Sequence, residues 1–295
     1  MTNRLWANAP LLLTATAIMW AGNTIAGRLA VGHISPFTLT CLRWTIVIAV
    51  LWPLYGREVR ERWGDIQPKV FRIAAMGALG FTGFNALYYA AAHHTTAINI
   101  GILQGVIPVL VLLGAFVAFG TRVTIVQALG TLVTLCGVVV VATKGMPAQL
   151  LALNINPGDI AVFIACVLYA FYTVALKDRP TLSGQGFFTL MALFAMLTSL
   201  PLIAYEAAVG QLTMPTPRGF AILLWVAFFP SYLSQIFFLR GVDLIGPGRA
   251  GVFVNLVPVF SAIMAVGLIN EPFGWYHGVA LSLVFGGIWL TQRSG

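Results

Sequence analysis

Polar and aromatic side chains recur at helical spacing inside long apolar stretches of this sequence. Trp20, Asn23 and Thr24 follow the spacing i, i+3, i+4, which places them on one face of a helix. The same spacing recurs in three further sets: Tyr169, Tyr172 and Thr173; Asn85, Tyr88 and Tyr89; and Ser234, Phe237 and Phe238. Amide, hydroxyl and aromatic groups bind small polar or aromatic molecules, and they are not by themselves a catalytic set.

Polar side chains inside hydrocarbon are costly, so they usually face the protein interior or a wet cavity. Together with further amides in other stretches, these faces predict a substrate-binding cavity of moderate size. Its predicted lining is Trp20, Asn23, Asn85, Tyr88, Tyr89, Gln104, Tyr169, Tyr172, Thr173, Ser234, Gln235, Phe238 and Asn255. The alternative is that the aromatic residues lie at the lipid interface and the amides bridge helices.

Glycine and proline interrupt two apolar stretches at matching positions. Gly101 and Pro108 lie in one stretch, and Gly251 and Pro258 lie in the other. Small residues permit close helix packing, and proline removes a helix hydrogen bond. We predict that these four residues let the two helices bend as gates, with plain helix packing as the alternative.

Arg43 is the only charged residue well inside an apolar stretch. A guanidinium in that position needs a partner or must reach the interface. It could bind a substrate carboxylate or form a structural pair between helices, and the sequence leaves both readings open.

Motifs of the common enzyme classes are missing from this sequence. It contains no Gly-Lys-Ser/Thr phosphate loop, no His-Glu-x-x-His motif and no Gly-x-Ser-x-Gly motif. An intramembrane enzyme or cofactor protein would need convergent His, carboxylate or nucleophile residues. We therefore predict no enzyme activity, no cofactor and no metal site.

Composition places these residues in a lipid bilayer. Charged residues are 8% of the chain and hydrophobic residues 59%, whereas soluble domains carry about 25% charge. The apolar stretches are long enough to cross a bilayer as helices. The net charge of +8 is better explained by cytoplasmic loops rich in Lys and Arg than by nucleic-acid binding.

Ten spans and an internal repeat organise the chain. The spans are predicted near residues 9–31, 36–55, 70–92, 95–119, 123–142, 156–176, 184–206, 219–240, 247–269 and 274–291, with a solvated connector from Tyr55 to Lys69. The pattern of Trp20 to Arg28 returns at Tyr169 to Lys177. We predict an all-α integral membrane protein with a first five-helix unit in residues 1–147 and a second in 148–295.

An odd number of spans in each unit makes the second unit enter the membrane from the opposite face. The predicted fold is thus a pair of inverted five-helix repeats around a central cavity, an architecture found in secondary transporters. The excess of Lys and Arg on one side predicts that both termini are cytoplasmic.

Several of these residues are similar to motifs of the drug/metabolite transporter superfamily, in its EamA family. The resemblance rests on Trp20-Ala21-x-x-Thr24, Leu42-Arg43, Ala86-Leu87-Tyr88-Tyr89, Pro108 with Pro258, and Asn270-Glu271-Pro272, and it covers almost the whole chain. It implies two inverted repeats, with spans 1, 3, 4, 6, 8 and 9 lining the cavity. Within the family the chain is most like exporters of aromatic and other neutral amino acids in the bacterial inner membrane.

The resemblance and the residues together predict a monomer or weak homodimer in the lipid bilayer, with a small-molecule substrate and no nucleic-acid partner. Another small metabolite or drug is the alternative substrate. A sugar-phosphate carrier would need basic groups in the cavity, where only Arg43 is available. We predict facilitated transport, since all eight acids lie near span ends; Asp159, Glu206 or Glu271 would overturn this if one reached the midplane.

Overall fold

The computed structural model describes residues 5–120, 123–146, 148, 156–178 and 180–293, and within these ranges every regular element is helical. The helices are α1 Ala9–Ala30, α2 Pro36–Glu61, α3 Trp63–Ala91, α4 Ala97–Phe119, α5 Ile125–Ala142, α6 Pro157–Ala175, α7 Gly184–Ala208, α8 Pro217–Ile245, α9 Pro247–Val254 with Val257–Ile269, and α10 Trp275–Arg293. Among the described residues, eight helices, α1 to α8, are long and apolar enough to cross a membrane, and Val257–Ile269 is a shorter apolar helix. The protein is therefore a multi-pass membrane protein.

Helix starts follow local sequence signals. Pro36 and Pro217 occupy the first turns of α2 and α8, where a missing N–H costs nothing. At α5, Thr124 accepts a hydrogen bond from the backbone N–H of Gln127, and the Gln127 side chain accepts from the Thr124 backbone N–H. This capping box satisfies two of the free donors at the helix start.

Irregular segments interrupt two pairs of helices at matching positions. α3 and α8 contain π-helical segments, Gly77–Gly83 and Ala227–Leu233, which begin 150 residues apart. α4 and α9 each break into two segments, after Gln104 and after Val254. Because π-helical segments are frequent at functional sites, the side chains around these interruptions are candidates for a functional site.

The connector predicted from Tyr55 to Lys69 is helical, which corrects the sequence reading. α2 continues to Glu61, and α3 begins at Trp63, with a 3₁₀ turn at Gln67–Lys69. Arg57 and Glu61 lie one helical turn apart and are paired at 2.7 Å, which favours continuation of the helix into solvent. The helix therefore extends beyond the apolar residues that define the predicted span.

The first segment of α4 lies at the centre of the bundle, and all of its residues from Ala97 to Leu103 are buried. It packs against α1, α6, α9 and α10. α5 pairs mainly with α10, where the helices approach closely at Gly130 and Gly287. The polar side chains of α4 thus lie where several helices meet.

Candidate substrate-binding site

Arg43 is the centre of a buried polar cluster that joins α2, α3 and α8. Its side chain is 5% exposed, so it does not reach the interface. Nε donates to Ser231 Oγ at 2.6 Å, while Nη1 donates to Asn85 Oδ1 at 2.5 Å and to the Tyr89 hydroxyl at 2.6 Å. The guanidinium also lies 5.0 Å from the ring centre of Trp44. These contacts link both π-helical regions, since Ser231 lies within one and Asn85 just after the other.

The cluster continues into α1 through tyrosine. The Tyr89 hydroxyl donates to Asn23 Oδ1 at 2.8 Å. Tyr88 packs edge-on against Tyr89, with ring centres 5.4 Å apart. The Tyr88 hydroxyl is buried beside Asn23 and Thr24, and it makes no hydrogen bond of good geometry with a described residue. Three predicted site residues of α3 and one of α1 are thereby in one connected group.

A chain of aromatic rings extends this group to α6. Phe84 lies between Tyr88 and Tyr169, with ring centres 5.6 Å and 5.2 Å away. Tyr169 in turn contacts Tyr172 at 5.4 Å. Tyr169 and Tyr172 are only partly buried, whereas Tyr88 is fully buried. The rings therefore run from the core toward accessible space.

A second predicted group joins α1 and α8. Trp20 Nε1 donates to Ser234 Oγ at 3.0 Å, and the Trp20 ring lies 5.4 Å from the ring of Phe238. Ser234 Oγ also bonds to the Pro230 carbonyl at 2.7 Å, which satisfies the hydroxyl within its own helix. Trp20 is half-buried.

The polar side chains of Gln104, Thr173, Gln235 and Asn255 make no hydrogen bond to the side chain of another predicted site residue among the described residues. Gln104 donates to the Ile100 carbonyl of its own helix, and Thr173 does the same to Tyr169. Within the described ranges, Gln235 is partly buried and Asn255 is buried, and neither makes a side-chain hydrogen bond. Their assignment to the cavity lining, like that of the other predicted residues, stays a prediction.

The predicted gate residues differ in their surroundings. A Cβ atom on Gly101 would overlap the side chain of Ser261 in α9, whereas a Cβ on Gly251 would meet open space. Ser261 also shares a hydrogen bond of 2.9 Å with Thr24 of α1. Pro108 and Pro258 each occupy the first turn of the second helical segment. Gly101 is thus a close packing point between α4 and α9, while Gly251 is not one.

Three carboxylates lie at one end of the bundle, each bonded to a neighbouring helix start; Asp159 and Glu206 are buried and Glu271 is partly buried. Glu271 accepts from the backbone N–H groups of Ala97 and Ile98, and its Oε1 lies 3.5 Å from Arg28 Nε. Glu206 accepts hydrogen bonds at the start of α2, among them one of 2.9 Å from the Thr38 N–H. These acids satisfy free N–H groups of helix ends.

Asp159 is the third of these carboxylates. Its Oδ1 accepts from Thr95 Oγ1 at 2.5 Å and from Asn99 Nδ2 at 3.3 Å. The Asn99 Oδ1 atom lies 3.2 Å from His277 Nε2. The Gly274 N–H donates to His277 Nδ1, so Nε2 carries the proton in the neutral ring and donates to Asn99. This chain joins α4, α6 and α10.

Two cavities lie outside the predicted lining. One of about 420 Å³ lies beside Ser35, His93, His94 and Glu206, at the loops of the same end of the bundle. Burial away from water is the main cause that lowers the pKa of His93, and the neighbouring His94 and Arg28 lower it further. The other, of about 240 Å³, lies between α2 and α8 and is apolar. Neither is lined by a predicted substrate-binding residue.

Sequence reasoning missed two serines that the structure brings to these groups. Ser231 receives the Arg43 Nε–H, and Ser261 contacts both Thr24 and the Gly101 position. The signal for Ser231 was a hydroxyl beside Pro230, three residues before the predicted Ser234. Ser261 is an isolated hydroxyl in an apolar stretch, three residues after Pro258.

Both halves of the chain match the same family of known proteins. A sequence model described as the EamA-like transporter family matches residues 8–143 and again residues 156–293. The chain belongs to the EamA-like transporter family. As an EamA-like protein it is a transporter, which argues against an enzyme.

Individual relatives agree with this membership. The EamA-like chain is 25% identical over 280 residues to "Uncharacterized transporter YetK" of Bacillus subtilis, covering 95% of this chain and 85% of that one. It is 23% identical to "Uncharacterized transporter YyaM" of the same species, with 95% and 92% covered. An uncharacterized transporter of Archaeoglobus fulgidus is 25% identical, with 95% and 96% covered.

A solved crystal structure shares the fold of the EamA-like chain. The TM-score is 0.65 at 20% identity, and the match covers 96% of each chain. At that identity the likeness concerns the fold alone.

Proposed function

We propose that this EamA-like transporter exports aromatic and other neutral amino acids across the cytoplasmic membrane by alternating access. The observation that carries the proposal is the cluster of Arg43, Asn23, Asn85 and Tyr89, with the aromatic rings that extend from it. Amide and hydroxyl groups suit the polar end of an amino acid, and rings suit its side chain.

The proposed architecture is a pair of inverted five-helix repeats. It is supported by the family model matching twice, by π-helical segments 150 residues apart, and by equivalent breaks in α4 and α9. Broken helices at corresponding positions of two halves are typical of transporters that bind substrate between them. The breaks lie just before Pro108 and Pro258.

The proposed location is the bacterial inner membrane, as a monomer or weak homodimer with both termini cytoplasmic. Basic residues support this orientation. Arg57, Arg60 and Lys69 lie where α2 meets α3, and Arg240 lies beside Trp6 near the chain start. Lys and Arg collect on the cytoplasmic side of membrane proteins. Reporters fused to Met1 and Gly295 should both report the cytoplasm, and opposite locations would overturn the ten-span topology.

The proposed transport is facilitated, driven by the substrate gradient alone. Asp159, Glu206 and Glu271 all lie at helix ends, and each is already bonded to helix-start or side-chain donors. A carboxylate that carries protons has to change its partners during the cycle. These three acids instead have structural partners.

Export from liposomes tests the proposal. Purified protein in vesicles loaded with labelled phenylalanine should release it without any ion gradient. Vesicles loaded with labelled glucose provide the control for leakage. Failure to release any neutral amino acid would overturn the proposed substrate. Release that requires an imposed pH gradient, and is lost in Asp159→Asn, Glu206→Gln or Glu271→Gln, would overturn the facilitated mechanism.

A further inference from the structure

Arg43 is a buried cation without a counter-charge. Among the residues that the structure describes, the ion pairs are Arg28–Glu271, Arg57–Glu61 and Arg62–Asp65, so no Asp or Glu lies within 4.0 Å of Arg43. Its protein partners are the neutral groups of Ser231, Asn85 and Tyr89. Buried charges in proteins are generally paired, because removing a charge from water is expensive.

One end of the guanidinium is also free to bond. The group has five N–H donors, and the bonds to protein arise from Nε and Nη1. Nη2 makes no hydrogen bond to a described residue. Among the described residues, the fully buried side-chain atoms without a partner are Trp44 Nε1, the Tyr88 hydroxyl and the Thr131 hydroxyl. Nη2 is not one of them, so it retains accessible surface.

Two of those unpartnered donors belong to the same cluster. The Trp44 ring lies 5.0 Å from the Arg43 guanidinium, and the Tyr88 ring contacts that of Tyr89. A buried donor without an acceptor calls for an explanation, such as a water or ion that completes it. Arg43 Nη2, Trp44 and Tyr88 therefore supply one positive charge and several unused N–H and O–H groups.

We propose that Arg43 binds the carboxylate of the transported molecule and makes the protein selective for carboxylate-bearing substrates over amines. A carboxylate is acceptor-only when ionised, so it can accept from the two free N–H groups of Nη2 while its negative charge offsets that of the guanidinium. The proposal rests on the proposed function and names the group by which its substrates are recognised. It assigns Arg43 a binding role in place of a purely structural one.

The charge balance also predicts which compounds are rejected. Asp159, Glu206 and Glu271 have their own partners at the helix ends, so the described part of the cluster offers no carboxylate to a cationic ligand. A cation placed beside Arg43 would meet like charge in a poorly solvated site. An aromatic amine without a carboxylate should therefore bind weakly.

Competition in the wild-type protein tests this selectivity at pH 7. Labelled phenylalanine counterflow in liposomes is measured with 3-phenylpropionate, which lacks the ammonium group, and with phenethylamine, which lacks the carboxylate. We expect 3-phenylpropionate to compete roughly 10- to 100-fold better, the range for a hydrogen-bonded charge. Equal competition by phenethylamine would overturn the proposal.

Substitution then assigns the selectivity to Arg43. In Arg43→Gln the preference for phenylalanine over phenylalaninamide should disappear, and Arg43→Lys should restore it in part because the charge returns without the Nη2 donors. Arg218→Gln is the matched control, since Arg218 is exposed at the start of α8. Full preference retained in Arg43→Gln would overturn the proposal.

A binding measurement separates this proposal from the proposed function. Thermal unfolding in detergent is recorded with 3-phenylpropionate and with phenethylamine for the wild type and the Arg218→Gln control. Stabilisation by the carboxylate alone, without transport of any amino acid, would support the carboxylate site and overturn amino-acid export. Stabilisation by neither compound, together with amino-acid transport, would overturn the carboxylate site alone. Because these measurements use the wild type, they decide the matter even if Arg43 variants fail to fold.

Discussion

Arg28 Nε lies 3.5 Å from Glu271 Oε1, and this pair connects the end of α1 to the link between α9 and α10. Glu271 also accepts the N–H groups of Ala97 and Ile98 at the start of α4. Arg28 in turn donates to the carbonyl of Ala92, which precedes α4. One carboxylate thus fixes three parts of the chain at this end of the bundle.

Glu271→Gln should destabilise the protein by about 1–2 kcal/mol, because it removes both the ion pair and the negative charge at a helix start. Thermal unfolding in detergent measures the effect. Glu61→Gln is the matched control, since Glu61 is paired with Arg57 but is exposed. An exposed pair contributes little because water screens it, so an equal loss in both variants would contradict the role of Glu271.

Gly101→Ala should destabilise the protein, since the added methyl group would overlap Ser261 of α9. Overpacking of this kind costs about 1–3 kcal/mol. Gly251→Ala is the matched control, because a methyl group there meets nothing within 4 Å. Thermal unfolding of both variants checks the prediction. Equal midpoints would mean that α4 and α9 are not in close contact at Gly101.

Pro108→Ala and Pro258→Ala should slow exchange between the inward-open and outward-open states. Both prolines lie in the first turn of the second helical segment, and replacing either supplies an N–H that can bond back to a carbonyl of the first segment. The restored bond should straighten α4 or α9 at its break. Cysteine labelling from each side of the membrane measures the exchange. Pro53→Ala provides the control, because Pro53 lies inside α2, outside the predicted gates. Unchanged labelling in both gate variants would contradict the prediction.

Trp20→Phe and Ser234→Ala should show coupled effects on stability. The indole N–H of Trp20 donates to Ser234 Oγ at 3.0 Å, and a hydrogen bond of this kind contributes about 0.5–1.5 kcal/mol. A double-mutant cycle by thermal unfolding isolates that coupling. Trp20→Phe combined with Ser282→Ala is the control, since Ser282 bonds within its own helix. Additive losses in the first pair would contradict the contact.

The helical membrane fold follows from the sequence because apolar length and scarce charge are local properties of the chain. The helices within the apolar stretches were predictable. The helical structure between Tyr55 and Lys69 was not, because the prediction placed the end of each helix where the apolar residues end. The spacing of Asn85, Tyr88 and Tyr89 likewise predicted one polar face on α3. The sequence predicted that these residues and Asn23 of α1 line one cavity. It did not predict the hydrogen bond between Tyr89 and Asn23.

The sequence by itself determined that the chain crosses a membrane several times as helices, and which side chains are too polar to face lipid. It also singled out Arg43, because a charge within a span is visible without coordinates. Only the tertiary structure decided its partners: Ser231, 188 residues away, Asn85, and Tyr89. The physical reason is that helix periodicity fixes the face of a side chain, whereas its neighbours depend on how separate helices pack.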